Sequence, residues 1–296
     1  MVAELKGRKS PLLVIVGSTA CGKTALAIQL ARQLDGELIS ADSWAIRREL
    51  NIGTAKPMPR ELHEVPCHLI NLVDVCQDFS AAAYKREAVS VIKAVSQRQK
   101  LPILVGGSGL YIDAVLYDYS FLPRPSQNVR DALNSLSLKE LQSKADLLNL
   151  PMNKIDERNK RRVIRLIETK GAFPEKQNLR SNTLIIGLEM EHDRLVQAIR
   201  NRVQNMLDEG LEEEVRHLSG VYGWHCEGLK GIGYHEWKLY FENRQNLEQT
   251  RERIIQDTLS LSKRQKTWFR RNMDIHWFSS PVNYPEIVEF VTTYFA

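Results

Sequence analysis

Gly17-Ser18-Thr19-Ala20-Cys21-Gly22-Lys23-Thr24 fits the spacing G-x-x-x-x-G-K-[ST] without a departure. These residue types at this spacing do one kind of chemistry together. Glycines let successive backbone N–H groups converge on an anion, and the helix N-terminus behind them adds partial positive charge. Lys23 contributes a mobile ammonium, and the Thr24 hydroxyl is the expected ligand for Mg²⁺. The motif specifies a phosphate or a diphosphate and says nothing of a nucleoside. Cys21, inside the loop, reads as a small filler rather than a nucleophile.

A second chemical candidate is Asp42, in "LISADSW". A carboxylate there could accept a proton from an acceptor group or hold Mg²⁺ through water. It could equally be a helix N-cap, a common task for Asp at a strand-to-helix turn, and the residues alone leave these readings open. "NIGTAKP" (51–57) has the composition of a shaped loop, and "GGSGLY" (106–111) is a second glycine-rich turn that offers the Ser108 hydroxyl.

The elements that must position these groups follow from short apolar runs. Residues 12–16, 37–41, 68–73, 101–105 and 183–188 read as buried parallel strands, with amphipathic stretches such as 24–34 and 80–99 between them. That alternation predicts an α/β fold, a doubly wound parallel sheet of the P-loop NTPase kind, whose sites lie at the carboxyl ends of the strands. The glycine loop, Asp42 and "GGSGLY" all fall at such ends. The alternation breaks over 121–182, which predicts a helical insertion. The expected division is therefore a first core part (1–120), the insertion (121–182) and a completing part (183–296) that finishes in helices.

The 296 residues are 43% hydrophobic and 26% charged, without low-complexity tracts, and no apolar run is long enough for a bilayer. No membrane partner is expected. Four cysteines at 21, 67, 76 and 226 form no C-x-x-C pair, so neither a disulfide framework nor a zinc knuckle is expected, and a reducing cytoplasm fits. The net charge of +5 is concentrated in "RNKRRVIR" (158–165) and "KRQKTWFRR" (263–271), which suggests a polyanionic partner larger than a nucleotide.

"GSTACGKTALA", "LISADSW…NIGTAKP", "LVGGSGLYIDAVL", "NKRRVIRLIE", "NRVQNMLDEGLEEEV", "GIGYHEW" and "SKRQKTWFRR" occur in the order found in bacterial tRNA dimethylallyltransferases. The chain resembles that family from about residue 12 to about residue 278. The resemblance implies that the glycine loop, Gly17 through Thr24, binds the diphosphate of dimethylallyl diphosphate, with Mg²⁺ on Thr24. It implies transfer of the dimethylallyl group to N6 of the adenosine immediately 3′ of the anticodon, in tRNAs reading codons that begin with U. Asp42 would accept the proton of the attacking amine. Arg202, which alone would pass for a surface arginine on an amphipathic helix, would help stabilise the leaving diphosphate. The same resemblance places tRNA contacts at Asp42, Ser43, Trp44, Ala45 and Ser108, at Arg161, Arg162, Val163, Ile164 and Arg165, at Gly233 and Tyr234, and at Lys263, Arg264 and Gln265. The insertion would grip the anticodon stem-loop of the tRNA, and a monomer is expected.

The chain departs from the family pattern in four places, one of them a segment between Glu168 and Thr183 that is shorter than usual. D-S-x-Q-x-Y has become Asp42-Ser43-Trp44-Ala45-Ile46-Arg47, Gly-Met-Asp has become Glu49-Leu50-Asn51, and T-R-Q-x-A-K-R-Q has become residues 258–265, "TLSLSKRQ". None of these touches the diphosphate set or Asp42; they bear on base recognition. Competing readings are an isopentenyltransferase acting on free adenine nucleotides, a P-loop small-molecule kinase, and an RNA-binding protein without catalysis. The first has no need of the insertion or of the 158–165 cluster, the second leaves both basic clusters and the ordered downstream motifs unexplained, and intact Lys23, Thr24, Asp42 and Arg202 argue against the third.

Overall fold

A computed structural model describes residues 10–123 and 125–296. Strands β1 (Leu12–Gly17), β2 (Gly36–Ser40), β3 (Cys67–His68), β4 (Leu101–Gly106), β5 (Thr183–Met190) and β6 (Ile275–Ser280) form one sheet in the order β3-β2-β4-β1-β5-β6. Every pairing is parallel. Parallel neighbours need crossovers, and helices supply them. The helices are α1 (Lys23–Gln33), α2 (Pro59–Leu62), α3 (Ala81–Gln97), α4 (Gly109–Leu116), α5 (Gln127–Ser135), α6 (Leu138–Leu147), α7 (Lys160–Glu168), α8 (His192–Asp208), α9 (Leu211–Tyr222), α10 (Trp237–Phe241), α11 (Leu247–Phe269) and, after the last strand, α12 (Tyr284–Phe295).

Period-two alternation splits each buried strand between two cores. Leu13 and Ile15 of β1, with Ile103, Val105 and Ile186, pack beneath Leu26, Ala27 and Leu30 of α1 and Ile287 and Val291 of α12. Leu12, Val14 and Val16 point the other way and are equally buried; α3, α4 and α11 pack against the strands and take no part in the α1 core. Both sheet faces are thus covered, as the near-continuous apolar strands predict.

Two elements differ from the expectation. The run 68–73 keeps only Cys67–His68 as strand: Leu69 (φ +61°) and Asn71 (φ +54°) turn out of extended conformation, and Val73 makes only a lone bridge to Arg47. The C-terminal part is not wholly helical. Ile275–Ser280 pairs with β5 as a sixth strand, with the Trp277 ring packed over Gly187, where a Cβ would come within 2.6 Å of it.

The cysteine expectation is also corrected. Cys76 and Cys226 form a disulfide across 150 residues of sequence. Spacing gave no hint of it because packing brings the two segments together: a Cβ on Gly228 would lie 2.7 Å from the Val75 carbonyl oxygen. Cys21 and Cys67 are free.

The chain divides into two compact units, residues 10–116 with 179–296, and residues 117–178. The second has its own core of Leu133, Leu141, Ala145, Val163, Ile164 and Ile167, drawn from α5, α6 and α7. Ser137 and Glu140 close a capping box on α6, and the Asn159 side chain caps α7. Val163 and Ile164, expected at an RNA surface, are 0% and 2% exposed. They are core residues, because on one helix turn with two exposed arginines the apolar positions must face inward.

Strand ends in the first unit approach so closely that side chains are excluded. A Cβ on Gly106 would lie 2.2 Å from the Ala41 carbonyl oxygen, a backbone atom with nowhere to go. Gly106→Ala is therefore expected to lower unfolding free energy by about 2 kcal/mol or more in urea titration. Gly220→Ala, in α9 with nothing within 4 Å, is expected to be neutral or stabilising by up to about 1 kcal/mol.

Candidate active site

The glycine loop joins β1 to α1. Gly17 (φ +148°) ends the strand where a Cβ would meet the Leu188 carbonyl oxygen at 2.4 Å. Gly22 (φ +91°) is the N-cap of α1, which has neither a side-chain cap nor an acidic residue in its first turn. Its first N–H groups and dipole are left for an anion. Lys23 Nζ donates to the Ser18 carbonyl, 2.5 Å away, and lies 3.9 Å from Cys21 Sγ. Cys21 itself is fully buried in the α1 core and fills space there. Thr24 is exposed and lines the cavity in front of the loop.

Asp42 follows β2. Its Oδ1 accepts the Trp44 N–H (2.7 Å) and the Ala45 N–H (3.0 Å). The capping role left open in the sequence is therefore filled by one carboxylate oxygen, while the same side chain lines the cavity. Beside it, Ser108 Oγ accepts the Ser43 N–H at 3.0 Å, which ties the Asp42 turn to the turn after β4. Gln265, on α11, accepts the Thr19 N–H at Oε1 (2.7 Å) and donates from Nε2 to the Gly107 carbonyl (3.1 Å).

Arg202 reaches in from α8, with Nη2 3.4 Å from the Thr54 carbonyl. Thr54 belongs to the loop 51–57, which Glu214 shapes. That carboxylate accepts the N–H groups of Asn51 (3.1 Å), Ile52 (2.9 Å) and Gly53 (3.2 Å), and the Tyr234 hydroxyl (2.7 Å). Burial lowers the pKa of both Lys23 and Arg202. In Lys23 Cys21 and then Asp42 oppose that shift while Arg202 adds to it, and in Arg202 Asp42 opposes it. Two partly desolvated cations thus share one carboxylate, an arrangement receptive to a multiply charged anion.

Two cavities meet at this point. One, of about 660 Å³, lies against the glycine loop and is lined by Lys23 and Thr24 together with Ile28, Leu38, Ala45 and Val105. The other, of about 600 Å³, is lined by Ser43, Trp44, Ser108, Tyr111, Lys230, Gly233, Arg264 and Trp268. Thr19, Asp42, Thr54, Gly107, Arg202 and Gln265 line both.

The remaining expected residues are distributed unevenly. Tyr234 is fully buried, with its ring against Gly53, and offers no free surface. Lys263 is exposed on α11 outside both linings. In the second unit Arg161 and Arg162 are exposed on α7, whereas Arg165 is engaged with the Leu122 carbonyl (2.7 Å) and Glu168 (3.1 Å). Arg47, where the family has tyrosine, is 4% exposed and donates to the Val75 and Gln77 carbonyls on either side of Cys76. That departure serves packing. Sequence reading missed Glu214, Lys230 and Trp268. Nothing local distinguishes Glu214 from its acidic neighbours in "LEEEV".

The sheet order and the glycine loop at the end of β1 place the chain among the P-loop α/β proteins. Residues 45–272 match the family model described as IPP transferase, and the chain belongs to that family. It is 39% identical over 278 residues to a tRNA dimethylallyltransferase of Anoxybacillus flavithermus, covering 90% of this chain and 89% of that one. With the Bacillus subtilis protein of that name it shares 37% over 292 residues, covering 93% and 92%. Among solved structures it resembles the tRNA isopentenylpyrophosphate transferase of Bacillus halodurans, with TM-score 0.76, 34% identity and 97% of each chain covered. A eukaryotic dimethylallyltransferase acting on tRNA has the same fold, with TM-score 0.81 at 23% identity over 96% of this chain and 80% of that one.

Two measurements test the electrostatics. Inorganic diphosphate with Mg²⁺ is expected to raise the melting temperature of the wild type, since it binds the folded state alone. Lys23→Met is expected to melt no lower than wild type without ligand and to lose that rise. Separately, burial lifts the Glu236 carboxyl from its ordinary 4.5 to about 7, against the lowering effect of His235. Its stabilising contribution is complete below pH 4.5 and is lost as pH rises through 7. Glu236→Gln should therefore stabilise the protein by about 1–3 kcal/mol at pH 8 and by little at pH 5, read by urea unfolding at each pH.

Proposed function

We propose that this chain transfers a dimethylallyl group from dimethylallyl diphosphate to N6 of the adenosine immediately 3′ of the anticodon, in tRNAs reading codons that begin with U. The observation that carries this reading is the junction of the two cavities, where Asp42 and Arg202 are the charged residues common to both linings. A diphosphate in the first cavity and a base in the second would meet at that pair. The names of the relatives, tRNA dimethylallyltransferases, supply the chemistry.

The donor binds with its diphosphate on the loop amides and Lys23, and with its five-carbon chain against Ile28, Leu38 and Val105. Thr24 and Asp42 offer oxygen donors in the same cavity, a set that suits Mg²⁺. When bound, that ion neutralises charge on the departing diphosphate. The adenine, turned out of the anticodon loop, enters the second cavity between Trp44 and the turn bearing Ser108. N6 attacks the allylic carbon, the carbon–oxygen bond breaks with its electron pair going to diphosphate, and Asp42 takes the N6 proton. Arg202, desolvated and close to Asp42, stabilises the charge that develops on the diphosphate.

Lys230 and Arg264 line the base-side cavity and, with exposed Lys263, supply phosphate contacts for the tRNA, as exposed Arg161 and Arg162 do separately in the helical unit. The helical unit, residues 117–178, takes the anticodon stem through its own cations. Among the described residues no helix is long and apolar enough to cross a membrane. With Cys76 and Cys226 paired, cysteine usage no longer argues for a reducing compartment. A cytoplasmic location goes with the proposed tRNA substrate.

The test incubates purified protein with labelled dimethylallyl diphosphate, Mg²⁺ and unmodified tRNA, with AMP and ATP as competing acceptors. Label is expected in tRNA alone, at the predicted adenosine. Asp42→Ala and Arg202→Ala are each expected to slow transfer by about 10²–10³-fold. Label in AMP or ATP would replace this reading with the free-nucleotide enzyme. ATP turnover dependent on a small acceptor would replace it with a kinase.

A further inference from the structure

The Gln265 side chain has both ends of its amide committed. Its Oε1 accepts the N–H of Thr19, the third residue of the glycine loop, at 2.7 Å, and its Nε2 donates to the Gly107 carbonyl at 3.1 Å. The orientation of the amide is fixed by these partners, since Thr19 presents a donor and Gly107 an acceptor. The space around it is kept clear as well: a Cβ on Gly107 would lie 2.2 Å from Gln265 Nε2. Gln265 sits on α11, one turn before Trp268 and next to Arg264, both of which line the base-side cavity.

We propose that Gln265 is a positioning residue for the diphosphate loop rather than an RNA contact, and that through it the RNA-facing helix α11 sets the conformation in which the loop receives its anion. The proposal rests on the reading of the glycine loop as the donor diphosphate site. The Thr19 N–H is held off the anion by Gln265, so the loop presents its remaining amides around Lys23 in a single arrangement. Without the acceptor at Oε1, this N–H is unsatisfied and the loop gains alternatives. The Gly107 carbonyl is the second anchor, fixing the amide against the turn that also carries Ser108, the acceptor for the Asp42 turn. A displacement of α11 would therefore be felt at both the diphosphate and the base.

Gln265→Met keeps the length and removes both hydrogen bonds, and Gly107→Ala ejects the amide while leaving Gln265 in the chain. Each variant, the double variant and wild type are titrated with inorganic diphosphate and Mg²⁺ by calorimetry, and with unmodified tRNA by filter binding. Steady-state transfer is measured in parallel. Each single variant is expected to bind diphosphate about tenfold more weakly, with KM for dimethylallyl diphosphate rising alike, kcat falling less, and tRNA affinity within twofold of wild type. The double variant should be no weaker than the weaker single, because both changes remove one interaction. If Gln265→Met does not fold, Gly107→Ala alone decides. Unchanged diphosphate affinity with weakened tRNA binding would overturn the proposal in favour of an RNA contact, as would multiplying effects in the double variant. Failure of wild type to bind diphosphate would instead remove the donor-site reading on which it depends.

Discussion

The central strands end in glycine because nothing larger fits. Gly17 closes β1 against the Leu188 carbonyl, and Gly106 closes β4 against the carbonyl of Ala41. In a parallel sheet the following turns all leave from the same edge, which puts the turn of Asp42 directly against the turn of Gly107 and Ser108, with the glycine loop joined to the latter through Gln265. Everything chemical in the molecule gathers there because the strand ends are flush. A side chain at either glycine would force apart turns whose hydrogen bonds, Ser43 to Ser108 and Gln265 to both glycine turns, fix the positions of Asp42 and the glycine loop.

Around that edge, charged side chains act on backbone more than on one another. Glu214 gathers three successive N–H groups of the loop 51–57; Arg47 gathers two carbonyls beside Cys76; Lys56 gives its ammonium to the Arg47 carbonyl and to Asn71. Glu214 and Arg47 each bring several irregular backbone groups to satisfaction at one stroke, and Lys56 one, which loops on the surface of an α/β sheet otherwise obtain from water. Burial lowers Lys56 to about 8, a measure of how far it has been drawn from solvent. Lys23 and Arg202 differ in kind. Burial outweighs what opposes it in each: Cys21, Asp42 and the Ser18 carbonyl for Lys23, and Asp42 and the Thr54 carbonyl for Arg202.

What could be read from the sequence was local. The glycine loop is a contiguous motif whose strand and helix flanks are visible as apolar periodicity, and the helix-only stretch announces itself by the absence of strand runs. Long-range consequences were not legible. The Cys76–Cys226 bond spans 150 residues; the sixth strand is recognisable only once β5 offers an edge. Val163 and Ile164 show the opposite failure. A contiguous run between arginines suggested one function for the whole segment, but a helix divides neighbours between faces, and these two went to the core. Arg47 likewise looks like a lost recognition group until its carbonyl partners are seen.

The two-cavity junction bears on why a kinase is the poorer reading of the same loop. A phosphoryl acceptor must approach the terminal phosphate, so a kinase needs its acceptor space beside Lys23 and Thr24. Here the second space instead opens past Asp42, and its walls carry Trp44, Tyr111 and Trp268 with Lys230 and Arg264. Aromatic faces with flanking cations are what an unstacked base and its phosphates require. Trp268 is held in place by its indole N–H on Asp113 and by the bare backbone of Gly109, with no room for a Cβ between them. A wall so fixed suits a flat, rigid acceptor brought in on a polyanion. The helix that carries it also carries Gln265, so one element both walls the second cavity and accepts a hydrogen bond from the glycine loop.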